Sequence, residues 1–362
     1  MLIGVPKEIK VHEYRVGLVP ETVREACAAG HDVVLEHDAG AGIGISNDEY
    51  VQAGAEIVST ARDVFDKADM VVKIKEPQPI ECDMLRAGQV LFTYLHLAAD
   101  PLLTARLVAS GATAIAYETV TAPDGGLPLL QPMSQVAGRM SIHVGSHLLE
   151  KASGGAGVLL SGVPGVARGN VVILGGGTAG ANAARLALGI GANVTVIQRS
   201  VDRIQKLDEM FCGELRVVHS TREAIETHVK QADLLVGTVL AAPGAGAPKL
   251  VRRELVSAMR PGSVIVDISI DQGGCIETSR PTTHTDPTYI EGGVVHYCVT
   301  NMPGAVARTS TFALNNATRP FILALANLGV EAALEKAPHL ANGLNVRSGD
   351  VVHPAVQKSL VV

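Results

Sequence analysis

The chain has 362 residues, a formal net charge of −6 and 47% apolar residues, yet aromatics make up only 3% and tryptophan is absent. That length points to two domains with substantial aliphatic cores. The acidic balance, with no basic patch interleaved with aromatics, argues against nucleic acid as a main partner. The five cysteines, Cys27, Cys82, Cys212, Cys275 and Cys298, form no CxxC or Cys/His ligand spacing and suit a reducing cytosol. The start, MLIGVPKEIKVHEYR, carries charge within ten residues and reads as no signal peptide. No uninterrupted apolar run reaches the ~18 residues of a membrane helix. A soluble, cytoplasmic protein with no membrane partner is expected.

In chain order, Leu2–Val5 reads as a strand. A helix opens at Val19-Pro20-Glu21-Thr22 and ends at Gly30. Val33–Glu36 is a strand, Ser46–Gly54 and Thr60–Ala68 are helical, and Met70–Lys75, Val90–Thr93 and Ala114–Ala116 are strands. This βαβα rhythm describes a doubly wound domain without a glycine-rich phosphate turn. A long helix runs from Met133 to Ser153. Asn170 then opens NVVILGGGTAGANAARLALGIGANVTVIQR, an apolar strand, a glycine turn, a helix and a second strand. Further strands are expected at Leu215–His219, Leu234–Thr238, Val264–Ile268 and Val294–Cys298, and a second long helix at about Ala305–Leu328. The expected architecture is α/β: two doubly wound Rossmann-like domains joined by long helices, with an interdomain cleft. Residues 1–130 plus 310–362 form a discontinuous substrate domain, and 134–306 form the dinucleotide-binding domain.

The turn carries the strongest chemical signal. Gly175 permits the sharp turn, Gly177 lets backbone approach a pyrophosphate, and Gly180 allows close packing of helix on strand. The helix that follows aims its N–H groups at the phosphates. The second strand should end in an acid for the adenosine ribose 2′-hydroxyl; here it ends in Gln198, then Arg199.

Four strand-end groups are candidates for substrate chemistry. Arg15 can grip a carboxylate with two parallel bonds, or be an ordinary solvated arginine. Lys75 can polarise a carbonyl, or be a surface lysine. His96 closes an apolar strand and suits general acid–base work, or caps that strand. Asp271 can hold an amine or orient a water, or cap the Gly273-Gly274 turn. His143 and His147 are four apart, but no HExxH occurs, and no GxSxG is present. No metal is expected.

Specific segments match one family over essentially the whole chain: IGVPKEIK at 3–10, VVKIKEP at 71–77, LFTYLHLAA at 91–99, AIAYETV at 114–120, PMSQVAGRM at 132–140, SGVPGV at 161–166, GGGTAG at 175–180, IDQGGCIETSRPTTH at 270–284 and NMPGAVARTSTFALNNAT at 301–318. The chain closely resembles bacterial alanine dehydrogenases. The resemblance implies reversible oxidative deamination of L-alanine to pyruvate and ammonium with hydride transfer to NAD. It implies that Arg15 and Lys75 bind substrate and that His96 and Asp271 are the catalytic pair. It places dinucleotide contacts at Ser134, Thr178, Ala179, position 198, Arg203, Ser220, Val239, Leu240, Ile268, Ser269, Ile270, Asp271, Arg280, Val299, Thr300, Asn301 and Met302, and it implies a homo-oligomer, commonly a hexamer. Two rivals share the fold: a relative acting on another amino acid, and the soluble nucleotide-binding subunit of a proton-translocating transhydrogenase. A non-catalytic NAD sensor is a third reading. Arg15, Lys75, His96 and Asp271 together disfavour the last two.

The sequence departs from the family pattern twice. Gln198, followed by Arg199 and Ser200 with Arg203 nearby, replaces the family's usual aspartate. Either NADP is accepted, or Gln198 still bonds the ribose and NAD remains preferred. The segment from Leu240 to Ala247 is one residue longer than the family pattern, beside the adenosine side.

Overall fold

The computed structural model describes residues 1–239 and 246–360. Leu240 and the rest of 240–245 lie outside the described residues, so the contact expected at Leu240 has no structural account. The chain divides into two compact units, Met1–Met133 with Val306–Val362, and Ser134–Ala305.

The first unit begins β1 (Leu2–Val5), α1 (Pro20–Ala28), β2 (Asp32–Glu36), α2 (Asn47–Gln52), β3 (Glu56–Val58), α3 (Ala61–Lys67), β4 (Met70–Val72), α4 (Pro79–Cys82), β5 (Val90–Thr93), α5 (Pro101–Ser110) and β6 (Thr113–Ala116). Local chemistry sets many of these boundaries. Pro20 opens α1 where its missing N–H costs nothing. Ser46 with Glu49, and Thr60 with Asp63, form reciprocal capping boxes at α2 and α3. β4 stops at Val72 rather than running to Lys75. Lys73 is wholly buried and must reach Glu8 at 3.1 Å and Glu81 at 2.7 Å. Burial works against its charge, but the two carboxylates hold the Lys73 ammonium above its ordinary pKa.

α6 (Gln131–Leu148) carries the chain into the second unit. This helix is shorter than expected: it stops at Leu148, and a separate 3₁₀ turn occupies Lys151–Ser153. Then follow β7 (Asn170–Leu174), α7 (Thr178–Gly189), β8 (Asn193–Gln198), α8 (Val201–Phe211), β9 (Arg216–His219), α9 (Arg222–Gln231), β10 (Leu234–Gly237), α10 (Arg253–Ser257), β11 (Val264–Asp267), β12 (Thr288–Glu291) and β13 (Val294–Tyr297). β12 was not expected. It pairs antiparallel with β13 through Gly292-Gly293, both at positive φ, as a tight primed hairpin turn requires. α11 (Ala307–Lys336) contains Pro320, and its helical geometry breaks at Gly329 (φ 73°), where the first helical run was expected to end. α12 (Pro338–Ala341), β14 (Leu344–Arg347), β15 (Asp350–Val351) and α13 (Pro354–Ser359) complete the first unit.

The sheet of the first unit has the order β15-β14-β6-β5-β4-β1-β2-β3, and that of the second β12-β13-β11-β10-β7-β8-β9. Each contains a six-stranded parallel set in the doubly wound order 3-2-1-4-5-6, with antiparallel strands added at one edge. The order reverses between β1 and β4 in the first unit and between β7 and β10 in the second. In the second unit Val171 and Ile173 join one buried cluster while Val172 and Leu174 join another. Both sheet faces are thus covered, which is why these strands read as unbroken aliphatic runs. Among the described residues no helix is long and apolar enough to cross a membrane.

Candidate active site

In the second unit, β7 delivers the glycine turn to the switch point. Gly175 sits at φ +96°, closed to most side chains. A Cβ on Gly180 would lie 2.0 Å from the Gly175 carbonyl oxygen and 2.9 Å from Thr238 Oγ1. Gly177 caps α7 in extended geometry, and a Cβ there would meet nothing within 4 Å. The turn is therefore packed from behind and open in front, a cradle that fits a pyrophosphate at the N-terminus of α7. Thr238, after β10, donates its hydroxyl to the carbonyls of Leu174 and Gly175 at 2.8 Å each. α6 presses on the same place: a Cβ on Gly138 would lie 2.1 Å from the Ala179 carbonyl oxygen. Thr178 and Ala179 occupy the first turn of α7, and Ser134 the first turn of α6, all half-buried.

Gln198 closes β8, and its Oε1 accepts the Gly176 N–H at 3.1 Å. Arg203 Nε donates to the Gly176 carbonyl at 2.5 Å. Arg199 is exposed. Ser220, after β9, donates its N–H to the Gln198 carbonyl at 3.0 Å. Val239 lies just past β10, half-buried.

Ile268–Gln272 form a 3₁₀ turn after β11, with Ser269 and Ile270 buried and Asp271 exposed. The Gly273 and Gly274 N–H groups bond the carbonyls of Ile270 and Ser269. The acid that organises this turn is Asp267, which sequence reasoning passed over. It is fully buried, accepting from Cys275 N at 2.9 Å, Ser269 N at 3.1 Å and Ser279 Oγ at 2.7 Å. Arg280 lies over the Tyr289 ring at 3.9 Å. Val299 and Met302 are buried; Thr300 N bonds Thr282 O, and Asn301, at φ +63°, accepts from His284 Nε2 at 3.1 Å.

In the first unit, four adjacent parallel strands, β1, β4, β5 and β6, end at one edge and deliver Arg15, Lys75, His96 and Glu118 in turn. Arg15 is no solvated arginine; it is 2% exposed. Its Nε and Nη2 donate to the Glu13 carboxylate at 2.6 and 2.5 Å, and Nη1 approaches Met133 Sδ at 3.1 Å. Its loop is held by Asn315 of α11, which accepts from Val19 N and Thr22 Oγ1. The Lys75 backbone is clamped: its N–H and that of Ile74 reach Glu8 Oε1, and its carbonyl accepts from Thr93 Oγ1 at 2.9 Å.

His96 lies three residues beyond β5 in left-handed backbone, φ +54°, a conformation uncommon outside glycine. The Glu118 carboxylate holds it there, accepting from Leu95 N and, at 2.6 Å, from His96 N. The same carboxylate lies 4.0 Å from His96 Nδ1. The imidazole stacks on Tyr94, centroids 5.9 Å apart and planes within 5°. Tyr94 donates its hydroxyl to the Leu129 carbonyl at 2.5 Å and packs edge-on against Tyr117. Burial raises the Tyr94 phenol above its ordinary pKa, so it stays neutral. Glu118 and Tyr94 were missed in the sequence, although Glu118 follows a strand end as His96 and Lys75 do. Among the described residues no group of three or more His, Cys, Asp or Glu side chains is placed to hold a metal ion.

A glycine cradle on a 3-2-1-4-5-6 sheet defines a dinucleotide-binding α/β protein. Residues 4–137 match the N-terminal domain, and 141–354 the C-terminal domain, of the alanine dehydrogenase/PNT family. The alanine dehydrogenase of Halomonas elongata is 56% identical over 359 residues, 99% of this chain and 96% of that protein. That of Methanococcus maripaludis is 54% identical over 360 residues, again 99% and 96%. A solved L-alanine dehydrogenase superposes with a TM-score of 0.96 at 54% identity, covering 100% of this chain and 99% of the other. A transhydrogenase from Sinorhizobium meliloti shares the fold, with a TM-score of 0.83 at 24% identity, covering 98% and 100%. The chain belongs to the alanine dehydrogenase/PNT family.

Proposed function

We infer that the chain catalyses the reversible oxidative deamination of L-alanine: L-alanine, water and NAD⁺ give pyruvate, ammonium, NADH and a proton. The observation that carries this reading is the delivery of Arg15, Lys75 and His96 by adjacent strand ends, straddling the switch point of the first unit. A nucleotide-binding subunit without substrate chemistry has no need of that set. The dinucleotide, when bound, supplies the hydride acceptor, and the cradle of Gly175, Gly177 and Gly180 fits its pyrophosphate.

Each residue's work follows from its setting. Glu13 holds the Nε/Nη2 side of the Arg15 guanidinium, and the arginine so anchored takes the substrate carboxylate. Fixing that carboxylate orients the Cα–H bond and removes part of the entropic barrier to hydride transfer. Lys75, with its backbone clamped by Glu8 and Thr93, polarises the carbonyl oxygen of pyruvate. His96 in neutral form takes the proton as water adds to the imine carbon. Asp271 supplies the second essential group, holding the amine. We place the enzyme in the cytoplasm as a homo-oligomer, a hexamer by its family resemblance. The test is L-alanine-dependent reduction of dinucleotide, followed by absorbance. His96→Ala and Asp271→Ala should each abolish turnover, and His96→Ala should leave NADH binding intact; near-native kcat in either variant removes that residue from the mechanism.

A further inference from the structure

The closing residue of β8 is where nucleotide folds of this order choose between cofactors. An acid there accepts bonds from the adenosine ribose 2′-hydroxyl and repels a 2′-phosphate, whereas an arginine nearby pairs with the phosphate. In this chain the position is neutral, and its carboxamide oxygen already accepts one backbone bond. Gln198 Oε1 accepts the Gly176 N–H, and Arg203 Nε donates to the Gly176 carbonyl, so both backbone groups of Gly176 are held from the β8–α8 connection. Unlike an acid, Gln198 also offers its Nε2 amide, a donor. The next residue, Arg199, is exposed and forms no hydrogen bond or ion pair among the described residues. Ser200 Oγ accepts the Arg203 N–H at 3.3 Å, and its own hydroxyl hydrogen remains to donate. Asp202 is the one acid between Gln198 and Arg203, set against two arginines.

We propose that the chain binds NADP(H) at least as well as NAD(H), its 2′-phosphate taken by Arg199, the Ser200 hydroxyl and the Gln198 amide. Arg203 fixes the turn from beneath and adds positive charge. This deepens the dinucleotide-dependent dehydrogenase reading and rests on it. Three donors around a dianion at a solvent-facing strand end form a charge-assisted site. The 2′-hydroxyl of NAD would find donors there but no carboxylate to accept its proton.

The test is titration of the full-length protein with NADPH and with NADH, followed by nicotinamide fluorescence. Competition by adenosine 2′,5′-bisphosphate and by adenosine 5′-monophosphate isolates the ribose end. NADPH should bind as tightly as NADH or more tightly, and the 2′,5′-bisphosphate should outcompete the monophosphate. Arg199→Ala should lower the NADPH-to-NADH affinity ratio by about tenfold, one charge-assisted contact. Gln198→Asp should push the ratio further toward NADH. Native protein that binds NADH about a hundredfold tighter than NADPH overturns the proposal, as does an unchanged ratio in Arg199→Ala. L-alanine-dependent reduction is measured in parallel. Reduction of NAD without NADPH binding sinks the cofactor proposal alone, and NADPH binding without L-alanine-dependent reduction sinks the dehydrogenase reading alone.

Discussion

Gly180→Ala probes the cradle most directly, because the steric demand is known. The new methyl carbon would stand 2.0 Å from the Gly175 carbonyl oxygen, whereas ordinary contact begins at 3.4 Å. The obstacle is backbone, so the turn must retreat by about 1.4 Å (3.4 − 2.0) or α7 must lift from β7. Overpacking of this kind costs about 1–3 kcal/mol, offset by up to ~1 kcal/mol from the better helix propensity of alanine. The net loss of about 0–3 kcal/mol lowers Tm by up to roughly 12 °C for a unit of this size. The same shift moves the N–H groups meant for the pyrophosphate, so NADH affinity should fall at least about tenfold, 1.4 kcal/mol. Gly177→Ala is the control. Its φ of −66° suits alanine, and its methyl meets nothing in the protein. Tm should hold while affinity drops, because the methyl occupies the open front of the cradle. The assays are thermal melts and NADH titration. Native Tm and affinity in Gly180→Ala, or equal destabilisation by Gly177→Ala, would refute the reasoning.

Two further perturbations test other parts of the molecule. Glu118→Ala removes the acceptor that holds His96 in left-handed backbone; kcat with L-alanine should fall about tenfold or more, one lost charge-assisted bond, while NADH affinity is retained. Glu118→Gln, which keeps an acceptor oxygen, should recover part of the loss, and native kcat in the alanine variant rules out the positioning role. His296 is wholly buried, its Nδ1–H donated to the Val294 carbonyl and its Nε2 2.7 Å from Thr278 Oγ1. Burial lowers its pKa in the folded state. Below about pH 6.5 the unfolded chain takes a proton that the folded chain refuses. Stability from this group is therefore present above that pH and lost as pH falls through it. Tm should drop between about pH 7 and 5, less steeply in His296→Gln; identical slopes would show that this histidine is not the cause.

What could be seen in the sequence was local. The glycine turn, the helix caps at Ser46 and Thr60 and the aliphatic strands follow from φ limits, hydrogen-bond reach and periodicity within a few residues. Arg15, Lys75 and His96 stood out because a parallel sheet places chemistry after strand ends. The Gly292-Gly293 hairpin turn was also there to be read, between two strands of which only the second was expected. Only the tertiary structure decided which charged groups pair across large sequence separations. It buried Lys73 between Glu8 and Glu81 and brought Glu118 under His96; within single loops it also turned Arg15 inward onto Glu13 and made Asp267 rather than Asp271 the organiser of the turn after β11. The Lys73 and Glu118 contacts depend on strand order and register, which bring together residues that periodicity treats as independent. The replacement at Gln198 was visible in one dimension. That its carboxamide oxygen already accepts the Gly176 N–H, with its amide donor beside Arg199, required the folded β8–α8 connection.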